Sequence, residues 1–147
     1  MPTHSITCAK ALTYAGALPF IAAALLHVLM PMVMPYHLDV IWAVGTYAAV
    51  IASFLCGIHW ALALLRGDRF SFYLLISSNL IALAAWASLL VPHAFIELSI
   101  QALCFMYLLA LDRKLYTHSL YPQWYYHLRG NVTAIVLVCL CLLMVPS

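Results

Sequence analysis

Charged residues are so few in this chain, and so tightly grouped, that they leave five long apolar stretches between them. Only 7% of the 147 residues are charged and 67% are apolar, whereas soluble domains carry about 25% charged residues. Six basic and four acidic side chains cannot cover a globule of this length with groups that water solvates. The composition therefore predicts a chain whose surface faces lipid.

The five apolar stretches have the length of membrane-spanning helices. Such a helix needs about 20 apolar residues to cross the ~30 Å hydrocarbon layer. The sequence therefore predicts an all-α, polytopic bundle of about five transmembrane helices, which together form one transmembrane domain over residues 1–147. The predicted helices cover residues 11–34, 41–65, 70–91, 94–111 and 122–145. Pro122 suits the first turn of the last helix, where a missing N–H group costs nothing.

The basic residues indicate the orientation of the helices. They are Lys10, Arg66, Arg69, Arg113, Lys114 and Arg129. Five crossings place all of them on one side of the membrane, which is the cytoplasmic side under the positive-inside rule. The N-terminus is therefore expected in the cytoplasm and the C-terminus in the periplasm.

The first apolar stretch, residues 11–34, is longer than the apolar region of a signal peptide. No small-residue cleavage site follows it, so it is expected to be retained. The ten residues before it lack the arginines of a mitochondrial presequence. We therefore expect a multi-pass protein of the bacterial inner membrane.

Small residues recur every four positions along the second predicted helix, at Gly45, Ala49, Ser53 and Gly57. Helices in lipid associate through close packing, which small side chains permit. This strip predicts a helix-packing surface and places the second helix at the centre of the bundle.

His59 is an ionisable residue within a predicted span, and Trp60 follows it. Counted from the short connection between helices, His59 lies at about the depth of Ser77, Ser78 and Asn79 in the antiparallel third helix. One interpretation is a neutral histidine that hydrogen bonds to those groups and holds two helices together. The other is a residue that contacts a ligand or handles a proton.

No arrangement of residues predicts a metal, a cofactor or a catalytic set. His27 and His59 are separated by about 15 Å in predicted depth, so they are unsuited to holding one metal or haem. Clustered Cys/His spacing, GxSxG and phosphate-loop motifs are missing from the sequence. The interpretation therefore leans away from an enzyme, and the small net charge of +2 argues against a nucleic-acid partner.

Polar side chains concentrate in the predicted cytoplasmic half, beside an aromatic loop between the fourth and fifth helices. A site, if present, is expected to open toward that leaflet. The candidate ligand or polar-network residues are His59, Trp60, Ser77, Ser78, Asn79, Asp112, Arg113, Trp124, Tyr125 and Arg129. Asp112 is expected to pair with Lys114 or Arg129.

Residues 18–20, 47–61, 112–114 and 122–129 together resemble a known family, most specifically in SFLCGIHW at 53–60 and PQWYYHLR at 122–129. It comprises small bacterial inner-membrane proteins with a domain of unknown function, and it has a mitochondrial transmembrane relative. The chain departs from that pattern at Cys56, where the resemblance implies glycine, and at Ile81, where it implies proline. The resemblance implies the same topology and points to His59, Trp60, Asp112, Arg113, Trp124, Tyr125 and Arg129, without implying an activity.

Three functions are compatible with the sequence. The first is a structural or accessory protein that binds another membrane protein, in a respiratory assembly by analogy with the mitochondrial relative. The second is a small-molecule site near His59 for a quinone or a lipid headgroup. The third and weakest is a transporter that works as an oligomer. The predicted partners are the lipid bilayer and a membrane protein or further copies of the chain.

Overall fold

A computed structural model describes residues 3–29, 37–66 and 69–145. These residues form six α-helices. The helices are α1 (Thr3–Ala15), α2 (Leu18–Leu29), α3 (His37–Arg66), α4 (Arg69–Ser88), α5 (Ala94–Thr117) and α6 (Gln123–Met144).

A proline divides the first apolar stretch into α1 and α2. Pro19 has no N–H to donate to the Ala15 carbonyl, and its ring clashes with that carbonyl, so α1 ends there. The N–H groups of Gly16 and Ala17 instead bond to Leu12 and Tyr14, which makes a tight connection. Helical structure starts at Thr3 rather than at the predicted residue 11, and the predicted end at residues 30–34 lies outside the described residues.

Other helix ends also differ from those predicted. The prediction ended α5 at residue 111, where the apolar stretch stops, whereas the helix continues through polar residues to Thr117. A helix need not end where its chain leaves the hydrocarbon layer. In contrast, α4 stops at Ser88 and a hydrogen-bonded turn follows at residues 89–91. Pro122 directly precedes α6 with extended backbone angles.

Within the described part of the chain, five helical segments are long and apolar enough to cross a membrane. The α1–α2 pair counts as one of them, from His4 to Leu29. Their outward side chains are predominantly apolar, as lipid contact requires. Examples are Leu25, Val50, Phe54, Leu64, Leu80, Leu83, Phe95, Leu103 and Val138. The predicted all-α fold with five membrane-spanning helices is confirmed, while the orientation of the termini stays a prediction.

The chain packs as two compact units, and the single predicted domain stays a prediction. The terminal unit comprises Met1–Val40 and Leu109–Ser147, and the central unit comprises Ile41–Leu108. In the terminal unit, α6 packs against α2 and α1. His27 Nε2 lies 2.9 Å from the Val145 carbonyl and donates to it, which satisfies one carbonyl at the end of α6.

The central unit is built from α4, the first part of α5 and most of α3. Small side chains such as Ala48, Ala52 and Ala85 are fully buried there, beside larger ones such as Leu74 and Leu98. Close approach of helices through small residues is the packing that lipid favours. Polar contacts join α4 to α5 as well, for example the 2.8 Å contact between the hydroxyls of Tyr73 and Tyr107.

Candidate functional site

The turn between α5 and α6 determines which polar residues meet in the terminal unit. Ser119 has a left-handed backbone with φ of 58°. The N–H of Ser119 bonds to the Tyr116 carbonyl, and that of Leu120 bonds to the Leu115 carbonyl. This pattern is the Schellman ending of a helix, with serine at the position that glycine usually occupies. The chain then reverses, so the end of α5 lies beside the start of α6.

This reversal brings Asp112 of α5 against Arg129 of α6. The Arg129 Nε donates to the Asp112 Oδ2 at 3.0 Å, and both side chains are almost fully buried. A buried charge is tolerated only when it is paired and hydrogen bonded. The pair therefore joins two helices at a depth where neither charge could stand alone.

Tyr121 completes the surroundings of the carboxylate. It lies beside Asp112, and its ring meets the Tyr125 ring edge-on at a centroid distance of 4.8 Å. Burial raises the pKa of the Tyr121 hydroxyl well above its ordinary value, and the negative charge of Asp112 raises it further. Tyr121 therefore stays a neutral donor at physiological pH. We call Asp112, Tyr121, Tyr125 and Arg129 the ion-pair cluster.

Aromatic rings surround the start of α6. The ring of Trp124 meets that of Tyr125 edge-on at 5.7 Å, and the Lys10 ammonium lies 5.9 Å from the Trp124 ring centroid. The rings of Tyr116 and Tyr126 stack at 4.8 Å. These contacts cover the ion-pair cluster with amphipathic rings, as is typical of a membrane interface.

The ion-pair cluster is suited to fixing helices rather than to acid–base chemistry. Its carboxylate is already bonded to a guanidinium and lies beside the Tyr121 phenol, and it is shielded from water. Arg113, the neighbour of Asp112 on α5, is exposed and takes no part in the pair. Sequence reasoning missed Tyr121, although its place between two helices and directly before Pro122 could have indicated it.

In the central unit, His59 and Trp60 of α3 point in different directions. His59 is 1% exposed, whereas Trp60 is 40% exposed. Adjacent residues on a helix project about 100° apart, so one faces the interior of the bundle and the other faces its surroundings. The two side chains therefore lie in different surroundings.

The predicted polar partners of His59 use their donors within their own helix. Ser78 Oγ donates to the Leu74 carbonyl at 2.6 Å, and Ser77 Oγ lies 3.3 Å from the same oxygen. Asn79 is exposed, and its amide nitrogen donates to the Leu75 carbonyl at 2.9 Å. These bonds give each of the three side chains a hydrogen-bond acceptor within α4.

The strip of small residues on α3 divides into a buried half and an exposed half. Gly45 and Ala49 are buried, whereas Ser53 and Gly57 are exposed. A four-residue step advances about 40° around an α-helix, so three steps carry the strip about a third of the way around. The strip packs within the central unit at Gly45 and faces outward at Gly57.

A second polar cluster, absent from the sequence predictions, lies near the start of α5. The Glu97 carboxyl packs directly on Gly45 of α3. One turn along α5, Gln101 is fully buried and bonds to Ser88 and to the Ala85 carbonyl of α4. We call Ser88, Glu97 and Gln101 the Glu97 cluster. The signal in the sequence is the i, i+4 spacing of Glu97 and Gln101, which places both on one face of α5.

A metal centre requires several ligating side chains in one place. Residues 3–29, 37–66 and 69–145 contain no group of three or more His, Cys, Asp or Glu side chains able to hold a metal ion. Of the ten candidate residues, His59 to Asn79 lie in the central unit and Asp112 to Arg129 lie in the terminal unit. Their role in binding a ligand stays a prediction.

In the described part of the chain, five membrane-capable helices with apolar side chains on their outward faces define a polytopic helical membrane protein. Residues 5–145 match the family described as "Protein of unknown function (DUF3429)", and the chain belongs to that family. The chain is 33% identical to Transmembrane protein 69 of Xenopus tropicalis over 128 residues. The matched region covers 86% of this chain and 49% of that protein.

The chain thus spans about half the length of that curated relative. No solved structure matches it. The resemblance indicated by residues 53–60 and 122–129, to a family of unknown function with a transmembrane relative, is confirmed.

Proposed function

We propose that this protein is an accessory subunit of a membrane assembly, and that the outward face of α3 receives a transmembrane helix of a different protein. The observation that carries the proposal is the exposure of Ser53 and Gly57 in a membrane-spanning helix. Small residues four apart allow two helix backbones to approach closely, which is the main source of helix affinity in lipid.

Gly57 has room for such a neighbour. A Cβ atom added there would meet nothing within 4 Å. Glycine weakens a helix by about 1 kcal/mol relative to alanine, and among the described residues no contact uses the missing side chain. A partner helix packed on this position supplies a reason for the glycine.

Asn79 supports an outward protein contact on α4. It is the eleventh of the twenty residues of α4, so it lies at the centre of the helix, and its side chain is exposed. A polar side chain facing hydrocarbon is costly, and in membrane proteins such groups usually hydrogen bond to another helix. A polar group on a partner helix would meet the exposed amide.

Two tryptophans bracket the outward face of α3. Trp42 and Trp60 are both exposed and lie eighteen residues apart. Eighteen residues make five full turns and about 27 Å, so both rings lie on one face, separated by nearly the hydrocarbon thickness. Ser53 and Gly57 lie between them, so the face is positioned within the membrane, where a transmembrane partner would reach it.

The small-molecule interpretation is less well supported by the geometry. It requires His59 and Trp60 to share a site with the serines of α4, whereas Trp60 faces outward and the serine hydroxyls donate to their own helix. An oligomer that used the outward face of α3 would place another copy of this chain there. Crosslinking at Gly57 distinguishes this case from an accessory role.

The test is photo-crosslinking in native membranes at native expression level. A photoreactive amino acid is placed at Gly57, and the matched control carries it at Ala134, an exposed position on α6. An accessory role predicts one discrete adduct with a different protein at Gly57, reduced by Ser53→Leu and absent at Ala134. An adduct of twice the mass of the chain, or lipid adducts alone at both positions, would contradict it.

A further inference from the structure

The Glu97 cluster contains buried oxygen atoms that lack hydrogen-bond donors. Glu97 is 6% exposed and Gln101 is 0% exposed. Neither Glu97 Oε1 nor Gln101 Oε1 has a hydrogen-bond partner. Both belong to the same face of α5, one turn apart, where Cβ atoms are separated by about 5–6 Å.

The donors of the cluster are fully used elsewhere. The Gln101 amide nitrogen donates to the Ala85 carbonyl at 2.9 Å and to Ser88 Oγ at 2.7 Å. Ser88 Oγ donates to the Ala85 carbonyl at 2.8 Å. Because a carbonyl can only accept, these bonds fix which end of the Gln101 amide is the nitrogen. Its oxygen is therefore a free acceptor, and the cluster has no N–H or O–H left to offer it.

The side chains that the structure describes in the central unit include no lysine or arginine that could neutralise a Glu97 carboxylate. The basic residues of this unit are Arg66 and Arg69. Arg66 is 21 residues along α3 from the Gly45 contact, or about 31 Å. A buried ionised carboxylate without a partner costs far more than a neutral acid does.

Other titratable groups near Glu97 do not supply the missing charge. His93, at the start of α5, has an exposed side chain, and it is its backbone carbonyl that accepts the Glu97 N–H. On α3, the Tyr47 phenol cannot carry a positive charge, and His59 is fourteen residues from Gly45, or about 21 Å. The Glu97 carboxyl lies instead against Gly45 and close to the Leu89 side chain.

We propose that Glu97 is a proton-binding site, held as a neutral carboxylic acid whose O–H points to Gln101 Oε1. One proton then corrects both defects, because it supplies the missing donor and removes the buried charge. A proton needs only a donor and an acceptor oxygen, which the cluster provides. A metal cation such as Ca²⁺ takes six to eight oxygen ligands, and the cluster offers far fewer free oxygens.

The proton also links the protonation state to helix packing. The carboxyl group packs on Gly45, so it joins α5 to α3. Loss of the proton would leave a charge at this contact, and the side chain would have to move toward water. Glu97 therefore favours close α3–α5 packing when protonated and opposes it when ionised.

The test is infrared spectroscopy of the protein in lipid nanodiscs between pH 5 and pH 8. A glutamate in water is almost entirely ionised at pH 7. The proposal predicts the carbonyl band of a protonated carboxylic acid at pH 7, and its loss in Glu97→Gln. This variant should keep wild-type thermal stability, since glutamine has the shape of the neutral acid. A spectrum without the band, or a band unchanged in Glu97→Gln, would overturn the proposal.

A second pair of variants keeps the test decisive if Glu97→Gln fails to fold. Gly45→Ala displaces the carboxyl, so the band should diminish, whereas Gly57→Ala, which meets nothing, should preserve it. Equal bands in the two variants would contradict the assigned position. Loss of the wild-type band on adding Na⁺ at constant pH would show a metal cation at the site in place of the proton.

Discussion

The substitution Gly45→Ala tests the packing of α3 against α5. A Cβ added to Gly45 would overlap Glu97 Oε1 and would come within 2.9 Å of Glu97 Cδ. The carboxyl must therefore move away from α3. In contrast, the Cβ of Gly57→Ala meets no atom within 4 Å, which makes that substitution a matched control on the same helix.

The expected effect follows from the difference between the two variants. Both replace glycine by alanine in α3, so each gains about 1 kcal/mol of helix propensity, and this gain cancels in the comparison. Overpacking a close contact costs about 1–3 kcal/mol. The obstructing atoms belong to a side chain rather than to backbone, so the lower end applies. We expect Gly45→Ala to be less stable than Gly57→Ala by about 1 kcal/mol.

The assay is reversible unfolding in mixed micelles, followed by circular dichroism, for both variants with and without Glu97→Ala. Removing the carboxyl should make Gly45→Ala and Gly57→Ala equally stable, since the obstruction is then gone. Equal stability of the two variants in the presence of Glu97 would refute the contact between Gly45 and Glu97. A difference that persists after Glu97→Ala would place its cause elsewhere on α3.

Three further perturbations test the remaining sites. Asp112→Ala leaves Arg129 buried without its partner and should destabilise the protein by about 3–5 kcal/mol. The control is Arg113→Ala at the exposed neighbouring position, which should change the unfolding free energy by less than about 0.5 kcal/mol. Similar losses in the two variants would refute the ion pair. Because the pKa of Tyr121 is raised in the folded state, its contribution is complete below about pH 10 and is lost as pH rises above that value. Above pH 10, the unfolding free energy of the wild type should therefore fall faster than that of Tyr121→Phe, by up to about 1.4 kcal/mol per pH unit. Parallel pH profiles of the two proteins would exclude a coupling between Tyr121 ionisation and stability. His59→Ala should lower the melting temperature without releasing any bound small molecule in native mass spectrometry, and the release of one from a folded variant would support a ligand site.

The sequence predicts the number of spans because charge is the most costly feature a lipid-embedded helix can carry. Its few basic and acidic residues therefore mark the ends of the apolar stretches. Exact helix ends depend on local bonds that a hydropathy pattern does not contain. The break before Pro19 and the left-handed Ser119 both arise from such bonds.

The burial of the candidate residues could be predicted only in part, because side-chain direction follows from packing rather than from depth. His59 and Trp60 share a depth, yet one is buried and the other is exposed. The spacing from Gly45 to Gly57 predicts one packing surface. Each four-residue step, however, rotates the direction of the side chain by about 40°, so the strip passes from the interior to the exterior.

The Glu97 cluster was missed for a related reason. A single acidic residue near a helix end is usually solvated, and no sequence motif indicates that Gly45 leaves space for the Glu97 carboxyl. The position of Gln101 one turn later becomes informative only when its amide is seen bonded to α4. Two polar residues spaced one helical turn apart within a membrane span therefore indicate a buried polar cluster better than a single one does.

The most direct test of the accessory role is native mass spectrometry of the protein, extracted mildly at native expression level. Wild type, Gly57→Leu and Ala134→Leu are compared. A Cβ at Gly57 would meet no atom within 4 Å among the described residues. Leucine there should therefore preserve the fold while it excludes a partner helix. The account predicts a stoichiometric complex with a different protein in wild type and Ala134→Leu, and its loss in folded Gly57→Leu. A chain that remains alone in all three, or a partner retained in Gly57→Leu, would contradict it.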